Sequence, residues 1–209
     1  MPQQNQLELS TDVVLFNIRD ERLEVLLLAQ AGNGWRLPGG EVAVEEDLDA
    51  AARRYLTEQT GFCGGYLEQL YTFGYPPENR PHRIVAVAYY ALVPVEPPPI
   101  LTENAALRWY SVKELPALVL NHQQIIDLAH QRLVSKLSYS TIALLFMPSR
   151  FTLTALQSVY ETILGEPLDK RNFRKRVLAM DCIENTGEMR REGKSPSGPA
   201  VSGEKSRQA

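Results

Sequence analysis

The spacing of residues between Pro38 and Phe62 leaves this chain few folds to choose from. A glycine-rich turn, Pro38-Gly39-Gly40, is followed by a stretch from Asp47 to Gln59 in which Leu48, Ala51, Ala52, Tyr55 and Leu56 recur at helical spacing, and Gly61 lies just past its end. That predicts one amphipathic helix behind a turn whose glycines let backbone approach a ligand. Positions 55, 58 and 59 stand at i, i+3 and i+4, so they share one helix face. Here the three residues are Tyr55, Glu58 and Gln59.

The surrounding sequence reads as mixed α/β. Asp12–Ile18 and Leu23–Ala29 are β-rich runs separated by the polar turn Arg19-Asp20-Glu21-Arg22, which predicts a hairpin. Leu67–Phe73, Ile84–Val93 and Leu107–Ser111 read as further strands, and Pro97-Pro98-Pro99 as a stiff surface loop. Beyond Pro116, Asn121 is placed to cap a helix carrying Ile125, Ile126, Leu128, Ala129, Leu133 and Leu137.

Charge divides the chain in two. Residues 1–134 carry 10 Lys and Arg against 17 Asp and Glu, a balance of −7, whereas residues 135–209 carry 12 against 8, a balance of +4. An acidic body with a basic end points to two modules, the second facing a polyanion or an acidic partner, although a solvated basic tail gives the same numbers. The basic part has helix-turn-helix punctuation. Thr152, or Thr154 with Gln157, can cap a helix whose face is Leu153, Leu156, Val159, Tyr160, Ile163 and Leu164. Gly165 and Pro167 end it, and Asp169 can cap a second helix with Phe173, Val177 and Met180 inward. On its other side Lys170, Arg171, Arg174 and Lys175 form a face able to enter a major groove, and Asn172 can read adenine or bind phosphate. Asn185-Thr186-Gly187 looks like the turn of a small wing, with Arg190 and Arg191 placed for a neighbouring phosphate or the minor groove. From Gly193 the chain is Gly, Ser, Pro and Lys with one larger apolar residue, Val201, which predicts a disordered tail over 193–209.

Composition excludes several classes. A chain that is 44% hydrophobic and 22% charged is neither collagenous nor wholly disordered. Its longest apolar run, Ile84–Val95, is broken by Pro94 and falls short of the roughly 20 residues of a membrane-spanning helix. Met1–Ser10 has neither the basic start nor the apolar core of a secretory signal, so a cytoplasmic location is expected. Cys63 and Cys182 lack metal or redox spacing and read as buried small hydrophobes, and His82, His122 and His130 as satisfied or solvated.

The segment Trp35-Arg36-Leu37-Pro38-Gly39-Gly40-Glu41, continued by Glu46, Arg54, Leu56, Glu58, Gly61 and Phe62, resembles the Nudix box. The resemblance implies a Nudix-type α/β/α sandwich with a mixed sheet over residues 8–138, and a Glu46–Arg54 ion pair pinning the loop to the helix. It also marks a loss, because Tyr55 and Gln59 stand where the box has glutamates. Glu58 is then a weak metal ligand, if one at all. Glu46, Arg54 and Glu58 are the residue of a box from which no catalysis is expected, and Gly39, Gly40, Arg54 and Glu58 become candidate ligand-binding residues. No cofactor is required, and Mg²⁺ enters only if hydrolysis persists.

The whole span from Leu7 to Glu192 is similar to the Nudix-related transcriptional regulators, which join a Nudix domain to a C-terminal winged helix. Phe151-Thr152-Leu153, Leu156-Gln157, Val159-Tyr160-Glu161, Ile163-Leu164-Gly165 and Pro167 to Arg174 carry that similarity. It implies a small winged helix-turn-helix DNA-binding domain over 139–192, an effector such as ADP-ribose, repression of NAD metabolism genes, a double-stranded DNA operator, a homodimer and no membrane. Relatives of that family regulate sugar catabolism. Ser197-Gly198-Pro199-Ala200-Val201 replaces the family's Arg-Pro-Ala and Leu-Tyr-Arg strand, which leaves the third wing strand without sequence support. Two rival readings remain at this point: a Nudix hydrolase cleaving ADP-ribose or another nucleoside diphosphate derivative, and a protein-interaction module in the basic half.

Overall fold

A computed structural model of the chain describes residues 7–32, 34–76, 82–93, 103, 106–180, 183–190 and 198–203. Pro97-Pro98-Pro99, Cys182 and Arg191 lie outside the described residues, and so do the side chains of 185–190 and 198–203. By its contacts the chain divides into two units, and the division falls inside a helix, at Arg132/Leu133. The second unit also takes in Asn17–Leu23.

The first unit is built on a mixed sheet. Strands β1 (Leu7–Arg19) and β2 (Arg22–Gln30) form the expected hairpin, turning through Asp20 and Glu21, both with positive φ, at 46° and 57°. Two consecutive left-handed residues make a turn whose twist matches the strands it joins. Val13–Phe16 and Val25–Leu27 are fully buried, the pattern of strands covered on both faces. Strand β3 (Gly34–Arg36) pairs with β2, and β4 (Gly39–Glu41) pairs antiparallel with β1, bringing Gly39 opposite Asp12. Strand β5 (Tyr66–Tyr75) lies antiparallel to β6 (Arg83–Leu92), which runs parallel to β1, and β7 (Leu107–Ser111) pairs with β2.

Helix α1 (Leu48–Thr60) buries Ala51, Ala52 and Leu56, the face predicted from spacing, and Gly61 ends it in the left-handed region. The Tyr89 hydroxyl donates to Asp49 at 2.6 Å and ties the first turn of α1 to β6. Burial, then the Asp49 contact, pushes the Tyr89 hydroxyl above its usual range. Helix α2 (His122–Lys136) buries Ile125, Ile126, Ala129 and Leu133.

In the second unit a 3-10 turn over Ile142–Phe146, absent from the sequence reading, precedes β8 (Arg150–Thr152). Helix α3 (Leu153–Leu164) starts at Thr152, whose hydroxyl accepts the Ala155 N–H at 3.0 Å, so Thr152 rather than Thr154 is the cap. Helix α4 (Lys170–Leu178) follows after Gly165, and β9 (Ile183–Arg190) and β10 (Gly198–Gly203) complete a three-stranded sheet in the order β8-β10-β9.

Two expectations are corrected here. Asn185-Thr186-Gly187 does not turn; it lies inside β9, and Asn185 pairs with Val201. The expected disordered tail over 193–209 is interrupted by β10, which pairs with β8 from Ala200↔Thr152 to Ser202↔Arg150. Composition measures whether a segment can build its own core, whereas a middle strand needs only backbone partners on both edges. A third correction concerns Cys63, which is exposed rather than buried.

Candidate functional site

The Nudix-box helix and the glycine turn meet in the first unit. A Cβ on Gly39 would run into the Thr11 carbonyl, and one on Gly40 would lie 2.6 Å from Cζ and Oη of Tyr55. Gly39 has no room for a side chain, and one at Gly40 would require the end of the Tyr55 ring to move. The Tyr55 ring therefore lies across Gly40, and its hydroxyl donates to the Glu41 carbonyl at 2.7 Å.

Gln59 holds Gly39 from both sides. Its Oε1 accepts the Gly39 N–H at 3.0 Å, and its Nε2 donates to the Gly39 carbonyl at 3.1 Å. Arg36 adds to the same cluster: Nη1 donates to the carbonyls of Leu37 at 3.1 Å and Gly39 at 3.3 Å, and to Gln59 Oε1 at 3.4 Å.

The expected ion pair forms. Arg54 Nε and Nη2 donate to the two oxygens of Glu46 at 2.8 and 2.7 Å, and Nη1 reaches Glu58 at 3.4 Å. The hydrogen bonds from Arg54 hold the Glu46 carboxyl below its ordinary range.

A cavity of about 350 Å³ opens beside this cluster, lined among others by Glu8, Asp12, Arg36, Gly39, Gly40 and His122. Of the four predicted ligand-binding residues, Gly39 and Gly40 line it, while Arg54 and Glu58 are not among its lining residues. The reason is local: Arg54 is spent on Glu46, and Glu58 faces solvent with its side chain 58% exposed.

Three lining residues were not singled out from sequence. Asp12 is a polar residue at the head of an apolar strand run, Arg36 sits inside the box segment, and His122 opens α2. His122 Nδ1 accepts the Leu37 N–H at 2.9 Å, and Nε2 lies 3.7 Å from Asp12 Oδ1. Burial first, and Arg36 second, push His122 down to about 4, so it is neutral at pH 7. Burial pushes Asp12 up to about 6, with Arg36 pulling the other way.

These residues do not fit the Mg²⁺ that the box implies in active members. Among the described residues no group of three or more His, Cys, Asp or Glu could hold a metal ion. Tyr55 and Gln59 present a phenol and an amide where carboxylates are needed, and the Gly39 carbonyl already accepts two N–H donors.

The second unit carries the basic helix face expected from the sequence. Glu161 Oε1 accepts the Leu168 N–H at 2.8 Å and Gln157 Nε2 donates to the Leu168 carbonyl at 3.0 Å, so α3 side chains fix the turn before α4. Asp169 Oδ1 accepts the Asn172 N–H at 2.8 Å and caps α4. Tyr160 and Phe173 pack edge to face at 5.2 Å, and the Arg176 guanidinium lies 5.2 Å over the Tyr160 ring. With Arg176 held there, Lys170, Arg171, Asn172 and Lys175 stand exposed and Arg174 half-buried, while Phe173 and Val177 are buried. Arg190 is in β9 opposite Gly198.

Comparison with known proteins matches two segments of the chain. The NUDIX domain model matches residues 8–129 and the NrtR DNA-binding winged helix domain model matches residues 143–199. A repressor from Acinetobacter baylyi described as "ADPR responsive transcriptional repressor NtrR" is 32% identical over 198 residues, covering 90% of this chain and 79% of its own length. The crystal structure of Shewanella oneidensis NrtR complexed with a 27mer DNA matches with a TM-score of 0.82 at 31% identity, covering 94% of this chain and 93% of that one. The NUDIX domain of the same Shewanella protein, complexed with ADP ribose, matches with a TM-score of 0.52 at 30% identity, covering 61% of this chain and 89% of that one.

Proposed function

The chain belongs to the Nudix-related transcriptional regulators, with a NUDIX domain followed by an NrtR-type DNA-binding winged helix, and from that premise we propose that it is a transcriptional repressor whose Nudix domain senses ADP-ribose. One observation carries the reading: the chain's own Tyr55 and Gln59 fill the helix face on which the box otherwise places metal ligands. A Nudix hydrolase needs metal to position water and the leaving diphosphate. A sensor needs the cavity and no chemistry. The protein therefore binds its effector without cleaving it and requires no cofactor for that cycle.

Helix α4 reads the operator through the major groove with Arg171, Asn172 and Arg174, while Lys170 and Lys175 engage phosphates and the wing contributes Arg190 and Arg191. One winged helix contacts few base pairs, so a homodimer on a two-part site is the working form, acting at DNA in the cytoplasm. ADP-ribose is what NAD leaves when nicotinamide is removed. Its level reports NAD turnover, which makes NAD metabolism genes the fitting targets.

The test selects double-stranded DNA from a random pool with the full protein, then follows binding to the selected site by fluorescence anisotropy as ADP-ribose is added. Release of the site is expected, with no product from ADP-ribose and Mg²⁺. Robust turnover that Glu58→Gln abolishes would restore the hydrolase.

A further inference from the structure

The residues that exclude the metal leave one cation facing the cavity. All hydrogen bonds that Arg36 makes to the described residues leave from Nη1. Nε and Nη2, which form one edge of the guanidinium and carry three N–H groups, have no protein acceptor among them. Arg36 is half-buried and lines the cavity beside Gly39 and Gly40. A guanidinium edge that has no hydrogen-bond acceptor among the described residues, and whose N–H vectors are parallel, matches two oxygens of a phosphate, with the Asp12 carboxylate acting on the same guanidinium. Gln59 and the two carbonyls fix the plane of that guanidinium from behind, so little side-chain freedom remains to be lost on binding.

We infer that the Arg36 guanidinium takes the role of the divalent cation in this domain, holding the diphosphate of the effector through Nε and Nη2 with no metal present. The inference rests on the effector reading above and adds which group neutralises the ligand. In this arrangement the Gln59 amide has a purpose that a glutamate would not serve. Its Nε2 can donate to the Gly39 carbonyl while Oε1 accepts from Arg36, whereas a carboxylate would repel that carbonyl and would form its own ion pair with the arginine.

The experiment titrates ADP-ribose and, separately, inorganic pyrophosphate into the full-length protein by calorimetry, in EDTA and in millimolar Mg²⁺. Wild type should give the same dissociation constant for ADP-ribose in both buffers. R36M should weaken it about 10- to 100-fold, the effect of losing a charge-assisted bidentate contact. R36K, which keeps the charge and loses the fork, should fall between them and guards against a folding defect in the methionine variant. Binding lost in EDTA, or unchanged in both variants, overturns the inference while leaving ADP-ribose as effector. Pyrophosphate binding that needs Arg36, without ADP-ribose binding, keeps the inference and removes the ADP-ribose reading. No binding of either ligand removes both.

Discussion

Two buried titratable groups, Asp12 and His122, set the pH behaviour of the cavity. His122 has its folded value pushed down to about 4 by burial, so the stability it contributes is present above its ordinary 6.5 and is lost as pH falls towards 4. Asp12 has its value pushed up to about 6, so its contribution is present below its ordinary 3.8 and is lost as pH rises through 6. Between these limits the two oppose each other. His122→Leu should destabilise the protein at pH 7, by about 1 to 3 kcal/mol for the orphaned Leu37 N–H. That deficit should shrink by about 2 kcal/mol at pH 5, where wild type bears the cost of its uncharged histidine. Urea midpoints of both proteins at the two pH values check it, and an equal deficit at both would refute the assignment. With the effector's diphosphate in this cavity, as proposed, binding should take up a proton. A phosphate beside Asp12 favours the neutral carboxyl, so affinity for ADP-ribose should rise as pH falls from 7 to 5. Binding heats in two buffers of different ionisation enthalpy would show the uptake, and Asp12→Asn should abolish it.

At the scale of elements, α4 is built against its own dipole. Its first turn carries Lys170 and Arg171 and no acidic residue, and cations at a helix N-terminus are unfavourable. The Asp169 cap opposes this, accepting the Asn172 N–H at 2.8 Å. Asp169→Ala should cost about 1 kcal/mol, read as a lower thermal midpoint of the second unit. A phosphate at this end relieves the same repulsion, which is why a helix so charged suits DNA. Arg171→Ala should weaken operator binding by about 1 to 3 kcal/mol and relax sequence preference. Lys170→Ala, which removes a contact proposed to reach phosphate alone, should lower affinity evenly across sequences and reduce the salt slope by about one. Anisotropy titrations over a salt series separate the two, and identical responses would mean that α4 attracts DNA without reading it.

For the molecule as a whole, repression that responds to ADP-ribose requires the effector to prefer the form that does not bind operator, since equal affinity for both forms shifts nothing. Linkage makes that preference reciprocal. ADP-ribose should lower operator affinity and saturating operator should lower ADP-ribose affinity by the same factor, in the range of about 5- to 150-fold for a coupling of about 1 to 3 kcal/mol. Calorimetry of ADP-ribose with and without operator measures it. An unchanged dissociation constant would leave two modules that share only a chain.

What could be read from the sequence was what local rules control. The helix over Asp47–Gln59 and its glycine stop, the caps at Thr152 and Asp169, the β1–β2 hairpin and the Glu46–Arg54 spacing each depend on residues a few positions apart. The loss of box carboxylates at Tyr55 and Gln59 was equally plain, because the resemblance to the Nudix box marks those positions. Tertiary structure decided what replaced them. Gln59 reaches back 20 positions to Gly39, and His122 reaches 85 positions to Leu37, pairings that no periodicity announces. Arg36, legible in the sequence only as part of the box segment, is placed by the fold in the lining of the cavity beside Gly39 and Gly40. In the wing, Asn185-Thr186-Gly187 has turn chemistry and Gly198–Gly203 lacks a core of its own. Both became strand because unpaired backbone beside an open edge is more costly than a weak local preference.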